Sequence, residues 1–447
     1  MDGSDTMGIE LYDIYKAPRG DWSSIDSLTT RLEEFMDLQN NYYTSTDLIV
    51  DNNYIPFEDI EAMVRSPLKK KITRVYLLYP NEKDKKEITS YVLNSGTLEK
   101  NNSSGQSKSI SLTFANPVEY TENGQKRLRF LPIELWDDFD SNVKIRIVTE
   151  IYFNNRVYQI QEGIFVAFDP QMSMQSGAEQ LTIQFYDKFA LLDGTIDGKG
   201  DLDYEIAAGT LINDAVVQLL RLPKNSRGEP YDYKEIIFPK EYRKEKLAYT
   251  IKKTSDNSIG DLLLDIAKSI ACDIQYNNYG NLEFFSSLDR SNLYDQSVAW
   301  NFNENEVISA SFDIKRSQIV NKVVVTGANI NGFLCKGIAE NKNPQSIYNI
   351  NGIFGTRSIK INDNLIPSNT FCQQRAEYEL QKSMRGYITL NFQSIWIPHI
   401  EPNDIIRWSR EEWGIESEEF LVNSISIPQD ASEPMSINAT NIKEISR

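Results

Sequence analysis

The strings VKIRIVTEIYF at Val143–Phe153 and VYQIQEGIFV at Val157–Val166 decide how this chain is read. Both are rich in β-branched and aromatic residues, which suit a pleated and half-buried surface. Asn154-Asn155 lies between them and has the chemistry of a tight hairpin turn. Working outward, further strands are expected at Ile72–Tyr79, Ser109–Phe114, Leu128–Leu135 and Leu181–Asp187. In Ile72–Tyr79 both alternating faces are largely apolar, so residue type carries that strand and period two does not. Successive short strands with turns between them point to an antiparallel barrel or sandwich over residues 72–192.

Beyond Asp193 the pattern breaks. Gly194, Gly198 and Gly200 with nearby aspartates predict a loop, and Thr210 opens a helix faced by Leu211, Ile212, Ala215, Val216, Leu219 and Leu220 that stops at Pro223. A second helix is expected from Ser258, carrying Ile259, Leu262, Leu263, Ile266, Ala267 and Ile270. Asn277–Asn281 then joins two short strands, Asp273–Tyr276 and Leu282–Phe285. Residues 193–300 thus read as an inserted α+β domain. Residues 301–447 return to strands: Ser309–Asp313, Asn321–Thr326, Tyr387–Trp396, Asp404–Trp408, Glu419–Ile427 and Met435–Ile442. A helix over 368–384, stopped by Gly386, interrupts them.

Residues 1–71 read as a helical N-terminal arm. Ser23 and Asp26 have capping-box spacing, and Ile25, Leu28, Leu32, Phe35 and Met36 recur at helical intervals up to Gln39. A short helix at Pro56–Val64 ends before Ser66-Pro67.

Three strands of the first β region echo three of the last. Val143–Ile147 matches Asp404–Trp408, Val157–Ile164 matches Phe420–Ile425, and Leu181–Asp187 matches Met435–Asn441. Shared order and near-equal first spacing favour two related barrels. The first copy is longer between its second and third strands, and the Met-, Gln- and Ser-rich stretch Asp169–Glu179 predicts a loop there.

Composition narrows the function. At about 150 residues per domain, 447 residues predict two to four domains. The 47 Lys and Arg against 64 Asp and Glu leave a formal charge of −17, which opposes a grip on duplex DNA through its phosphates. Forty-nine aromatic residues argue against an acidic disordered chain. No apolar run has the length of a membrane span, and Met1–Gly20 lacks the pattern of a signal peptide. Cys272, Cys335 and Cys372 have neither disulfide-framework nor zinc spacing and fit synthesis in a reducing cytoplasm.

Chemistry-bearing residues are few. His399, the single histidine, lies in Ile397-Pro398-His399-Ile400 near Trp396 and reads as strand-end packing. Asp197, Lys199, Asp201, Asp203 and Glu205 resemble a calcium loop, but Lys199, Leu202 and Ala208 occupy positions that need an oxygen ligand, glycine and glutamate, so a solvated turn is expected. No carboxylate pair stands out for glycan cleavage among so many acids. Arg19-Gly20-Asp21 is a chance tripeptide, and no phosphate-cradling glycine motif occurs. Lys69–Lys71 and Lys83–Lys86 read as solvated basic faces that an acidic neighbour would also suit. No catalytic, cofactor or metal residue is expected.

The order of elements resembles the central tail hub proteins of bacteriophages and phage-tail-like particles. The pieces that carry it are Ile72–Tyr76, Ser109–Phe114, Val157–Val166 with Gly163, Phe189–Gly194, Ile206–Thr210, Ile314–Ser317 to Val325–Gly327, and Asp404–Ile442. The resemblance covers residues 72–447 and leaves the arm unexplained. It implies a mainly β chain with an α+β insertion and two related tube-like antiparallel β-barrels. It implies a homotrimer whose six barrels form a pseudo-sixfold ring at the virion's tail tip or baseplate. The partners it implies are a hexameric tail tube or distal tail protein, a threefold tip, spike or tail-associated lysin, baseplate wedge proteins and the tape measure protein. An acidic ring would also surround DNA in transit without binding it. Two alternatives are a tail-associated glycan-cleaving enzyme and a peripheral carbohydrate-binding adhesin.

Overall fold

The computed structural model describes most residues from 49 to 442; residues 130–142, 240–244 and 287–296 are the longest interior stretches outside it. The expected helix at Ser23–Gln39, the Arg19–Asp21 tripeptide, the Asn154-Asn155 turn, and Asp201 and Asp203 all lie outside the described residues.

The first elements are β1 (Ile49–Val50), β2 (Asn53–Tyr54), helix α1 (Phe57–Arg65), β3 (Lys70–Leu78), β4 (Asp84–Glu87), β5 (Val92–Asn94), β6 (Thr97–Asn101) and β7 (Lys108–Asn116). After β8 (Val118–Glu122) and β9 (Gln125–Arg129) come three long strands, β10 (Lys144–Phe153), β11 (Arg156–Gln175) and β12 (Ala178–Asp187). The middle of the chain holds β13 (Tyr204–Ile206), α2 (Ile212–Arg221), β14 (Ile251–Lys253), α3 (Ile259–Ser269), β15 (Cys272–Tyr276) and β16 (Leu282–Ser286). It continues with β17 (Val298–Phe302), β18 (Val307–Ile314), β19 (Lys322–Ile330), β20 (Phe333–Glu340), β21 (Ser358–Asn362) and helix α4 (Asn369–Arg385). Strands β22 (Ile388–Ser394), β23 (Ile405–Arg410), β24 (Ile415–Pro428) and β25 (Met435–Asn441) complete it.

The chain is mainly β with an α+β insertion. One large sheet runs β18-β22-β25-β24-β6-β7-β12-β11-β10-β3-β4, with β17 on β23 and β5 on β7. Both halves of the sequence echo are antiparallel meanders in it, β10-β11-β12 and β23-β24-β25. Their flanks match on one side, where β7 pairs β12 as β22 pairs β25. On the other side they differ: β3 joins β10 antiparallel, whereas β17 joins β23 parallel. Strand β6 bridges the copies by pairing with β24 and β7. Among the described residues no pairing closes either half into a barrel, so the repeat appears as two meanders of one continuous sheet.

The stretch expected as a loop at Asp169–Glu179 is instead a hairpin extension. Strand β11 continues to Gln175 and pairs with β12 as far as Gln175↔Ala178. Its Met, Gln and Ser content hides the strand, which rests on cross-strand backbone bonds rather than residue preference. A register shift between Phe168 and Gln171 bends the ribbon, and Asp169 sits there at φ 42°.

One core underlies the large sheet and takes side chains from both meanders, including Ile147, Phe165, Phe185, Trp408, Phe420 and Met435. Ile60 and Met63 of α1 are buried in it. A second core belongs to α2, α3 and their small strands, where the rings of Phe238 and Phe284 stack at 4.1 Å. Ser258, where the sequence was expected to open this helix, caps α3 in a complete capping box with Asp261.

Residues 322–385 build a third layer, the mixed sheet β20-β19-β21 covered by α4. The helix lies close because a Cβ on Gly337 would stand 2.3 Å from the Cys372 backbone, and one on Gly327 2.7 Å from its Sγ. Side chains of α4 also seal the outer edge of β20. Asn369 Oδ1 accepts from the Lys336 N–H at 2.8 Å, and the Gln373 carboxamide both accepts from Ile338 N–H and donates to its carbonyl. An open strand edge is a template for unwanted pairing, and here a helix occupies it.

Candidate functional site

Of the residues singled out for chemistry, His399, Asp197 and Glu205 each have a partner within the chain. His399 is buried, with Nε2 3.0 Å from the Ala299 carbonyl and its ring edge-on to Trp300 at 5.4 Å. Burial lowers its pKa, favouring neutral imidazole. Asp197 Oδ1 accepts from the Gly198 N–H and the Tyr231 hydroxyl, while Glu205 pairs with Lys252 across β13 and β14. Among the described residues no group of three His, Cys, Asp or Glu is arranged to hold a metal ion, and no helix is long and apolar enough to cross a membrane. All three cysteines are buried and unbridged, and burial pushes the Cys372 thiol up to about 11.

Two features were hidden in the sequence. The first is a seam of buried charge where the large sheet meets the α+β layer. Lys100, 2% exposed, lies 2.7 Å from both Glu162 and Glu401. Burial works to lower Lys100, but the two carboxylates outweigh it and hold the amine above the ordinary lysine range. Nearby, Glu82 sits 2.7 Å from Lys144, 2.7 Å from Lys188 and 2.9 Å from Lys234. Burial would raise Glu82, yet the lysines outweigh it and keep its carboxyl well below the usual range. Lys188 also pairs with Asp232 at 2.7 Å. These charges lie far apart in sequence, at positions that each read as ordinary surface residues.

Asp404 belongs to this seam and behaves differently. Burial pushes it up to about 7, offset in part by the Glu401 N–H donated to its Oδ2 at 2.8 Å. The folded state therefore holds a proton on Asp404 at pH values where the unfolded chain, at 3.8, has released it. Its contribution is fully present below about pH 4 and is lost as pH rises toward 7. Asp404→Asn, which keeps the acceptor and removes the titration, is expected to flatten that slope and gain about 1–3 kcal/mol at pH 8. Urea unfolding at pH 5 and pH 8 checks this, and an unchanged slope would contradict it.

The second feature is the outward face of the large sheet. One cross-strand row reads Ser309, Gln393, Ser436, Ser426, Glu99 and Ser109. The next reads Ser311, Asn391, Asn438, Ser424 and Asn101. Their side chains bond to one another, as Asn438 does to Asn391 at 2.6 Å and Ser426 to Glu99 at 2.6 Å. The alternate residues, such as Leu390, Phe392 and Ile437, fill the core, so the pleat separates a wet face from a dry one. Neither row holds a lysine or arginine, and a groove of about 360 Å³ runs over them.

The two margins of this sheet contrast. Strand β18 ends one side with Ile308 61% exposed. Strand β4 ends the other with four exposed charged residues, of which Asp84 pairs with Arg146 and Glu87 with Arg74. The expected basic face at Lys83–Lys86 is this margin; Lys69 lies outside the described residues.

No protein-family model matches the chain, and no curated protein sequence does. Solved structures do. The 43 kDa tail protein of prophage MuSo2 from Shewanella oneidensis superposes with a TM-score of 0.53 at 13% identity, covering 83% of this chain and 99% of that one. A tail protein from Neisseria meningitidis MC58 superposes with a TM-score of 0.52 at 10% identity, covering 83% and 96%. This chain therefore has the fold of those tail proteins, as its order of elements led one to expect.

Proposed function

We propose that the chain is a structural protein of a phage or phage-like tail, and that three copies form the hub at its distal end. The observation that carries this reading is the pair of matching meanders in one sheet, set in a fold shared with tail proteins. Two alike surfaces per subunit let a threefold assembly present six, which suits a hexameric tube or distal tail protein on one side and a threefold tip or spike on the other. On this reading, residues 72–192 and 301–447 are the two ring-forming parts, 193–300 the inserted α+β part and 1–71 an arm. The Ser- and Asn-lined face, which carries no cation in its two rows, would let DNA pass without a grip. No site described above favours glycan cleavage.

Native mass spectrometry and negative-stain imaging test this proposal. A trimer with a ring-shaped projection is expected, alone or with a tail-tube partner. A stable dimer or tetramer would sink it.

A further inference from the structure

The turn Asn277–Asn281 between β15 and β16 is clasped by three lysines from elsewhere in the chain. Lys188 Nζ donates to the Gly280 carbonyl at 2.9 Å, and Lys234 Nζ donates to that of Tyr279. Those two meet backbone amides. The third, Lys108 Nζ from β7, donates to the side-chain Oδ1 of Asn278. The other end of the same carboxamide, Nδ2, donates to Glu401 Oε1 at 3.3 Å. Glu401 is held in place by Lys100 at 2.7 Å. An amine, a carboxamide and a carboxylate from three separate elements therefore meet at one point.

That set is what amide exchange between side chains needs: a nucleophile, an acyl carbon and a group to carry the proton. Nucleophile and acyl group are thus held in contact before reaction, and the amine has only to swing from the carboxamide oxygen to the face of the adjoining carbon. We propose that Lys108 and Asn278 join in an intramolecular isopeptide bond, with Glu401 as the catalytic proton carrier.

The step balances without any further reactant. The neutral Nζ attacks Cγ of Asn278, and a tetrahedral centre forms. Glu401 takes a proton from Nζ and passes it to Nδ2. The Cγ–Nδ2 bond breaks, ammonia leaves, and an Nζ–Cγ amide remains with Glu401 returned to its starting form. Supply of the neutral amine is favoured by burial, which pushes Lys108 down to about 8, with the Lys100 charge acting in the same direction. The bond would close a loop of 170 residues and fasten the α+β layer to the large sheet.

The intact mass of the full chain, measured after incubation at neutral pH, tests the proposal. One ammonia less than the encoded mass is expected, with tryptic mapping giving a branched peptide that contains Lys108 and Asn278. Lys108→Arg and Asn278→Ala should each keep the encoded mass, and Glu401→Gln should keep it over the period in which the native chain converts. Encoded mass in the native chain overturns the proposal. So does an ammonia loss that maps to an unbranched peptide, the signature of succinimide formation at asparagine.

Discussion

Lys100→Ala is expected to lower the free energy of unfolding by about 3–5 kcal/mol, because it leaves a buried carboxylate without its counter-charge. The stranded group is Glu162, whose side chain is 3% exposed. In the native chain, burial works to raise Glu162, and Lys100 outweighs it, so its pKa lies below the model-peptide value of 4.5. A carboxyl lowered in this way contributes stability that is present above its unfolded pKa and is lost as pH falls through the folded one. The gap between native chain and variant should therefore be widest near neutrality and narrow in acid. Urea unfolding at pH 7 and pH 4 reads both effects. Replacing both partners by methionine should restore most of the loss, since an apolar pair carries no unpaired charge. A single variant within about 1 kcal/mol of the native chain would show that the pair contributes little.

Gly337→Val should be nearly as damaging, by about 3 kcal/mol, for a steric reason. A Cβ at that position would stand 2.3 Å from the carbonyl carbon and oxygen of Cys372 and from the Gln373 nitrogen. Those are backbone atoms of α4, so the helix must lift from β19 and β20 rather than a side chain turn aside. Cys372 and Cys335 would then lose their cover. Faster labelling of both thiols by a disulfide reagent, at urea concentrations that leave the native chain protected, is the expected readout. Labelling at the native rate would mean that the helix accommodates the branch.

How far the sequence foretold all this depends on what each segment had to show. Strands such as Val143–Phe153 and helix α3 declare themselves, because β-branched content and apolar residues at helical spacing are local signals. Strand β4 is four charged residues with no apolar signal; it exists because β3 offers an edge to pair with. Strands β20 and β21, absent from the sequence reading, owe their place to β19 between them. The Met- and Gln-rich ribbon at the end of β11 likewise owes its strand to its partner, β12. The partners of His399 and Asp197, the Ala299 carbonyl and the Tyr231 hydroxyl, lie 100 and 34 positions away and leave no local trace in the sequence. The charged seam was invisible, since Lys100, Glu162 and Glu401 are neighbours only after the chain has folded.

The seal on β20 has a further meaning. A bare strand margin on a concentrated protein invites fibres, and under the tail role proposed above the chain would accumulate in many copies before assembly. Two amides on one helix, Asn369 and Gln373, stand between the small sheet and that fate. Damage to α4 is therefore expected to show itself as insoluble protein in the producing cell, before any assembly.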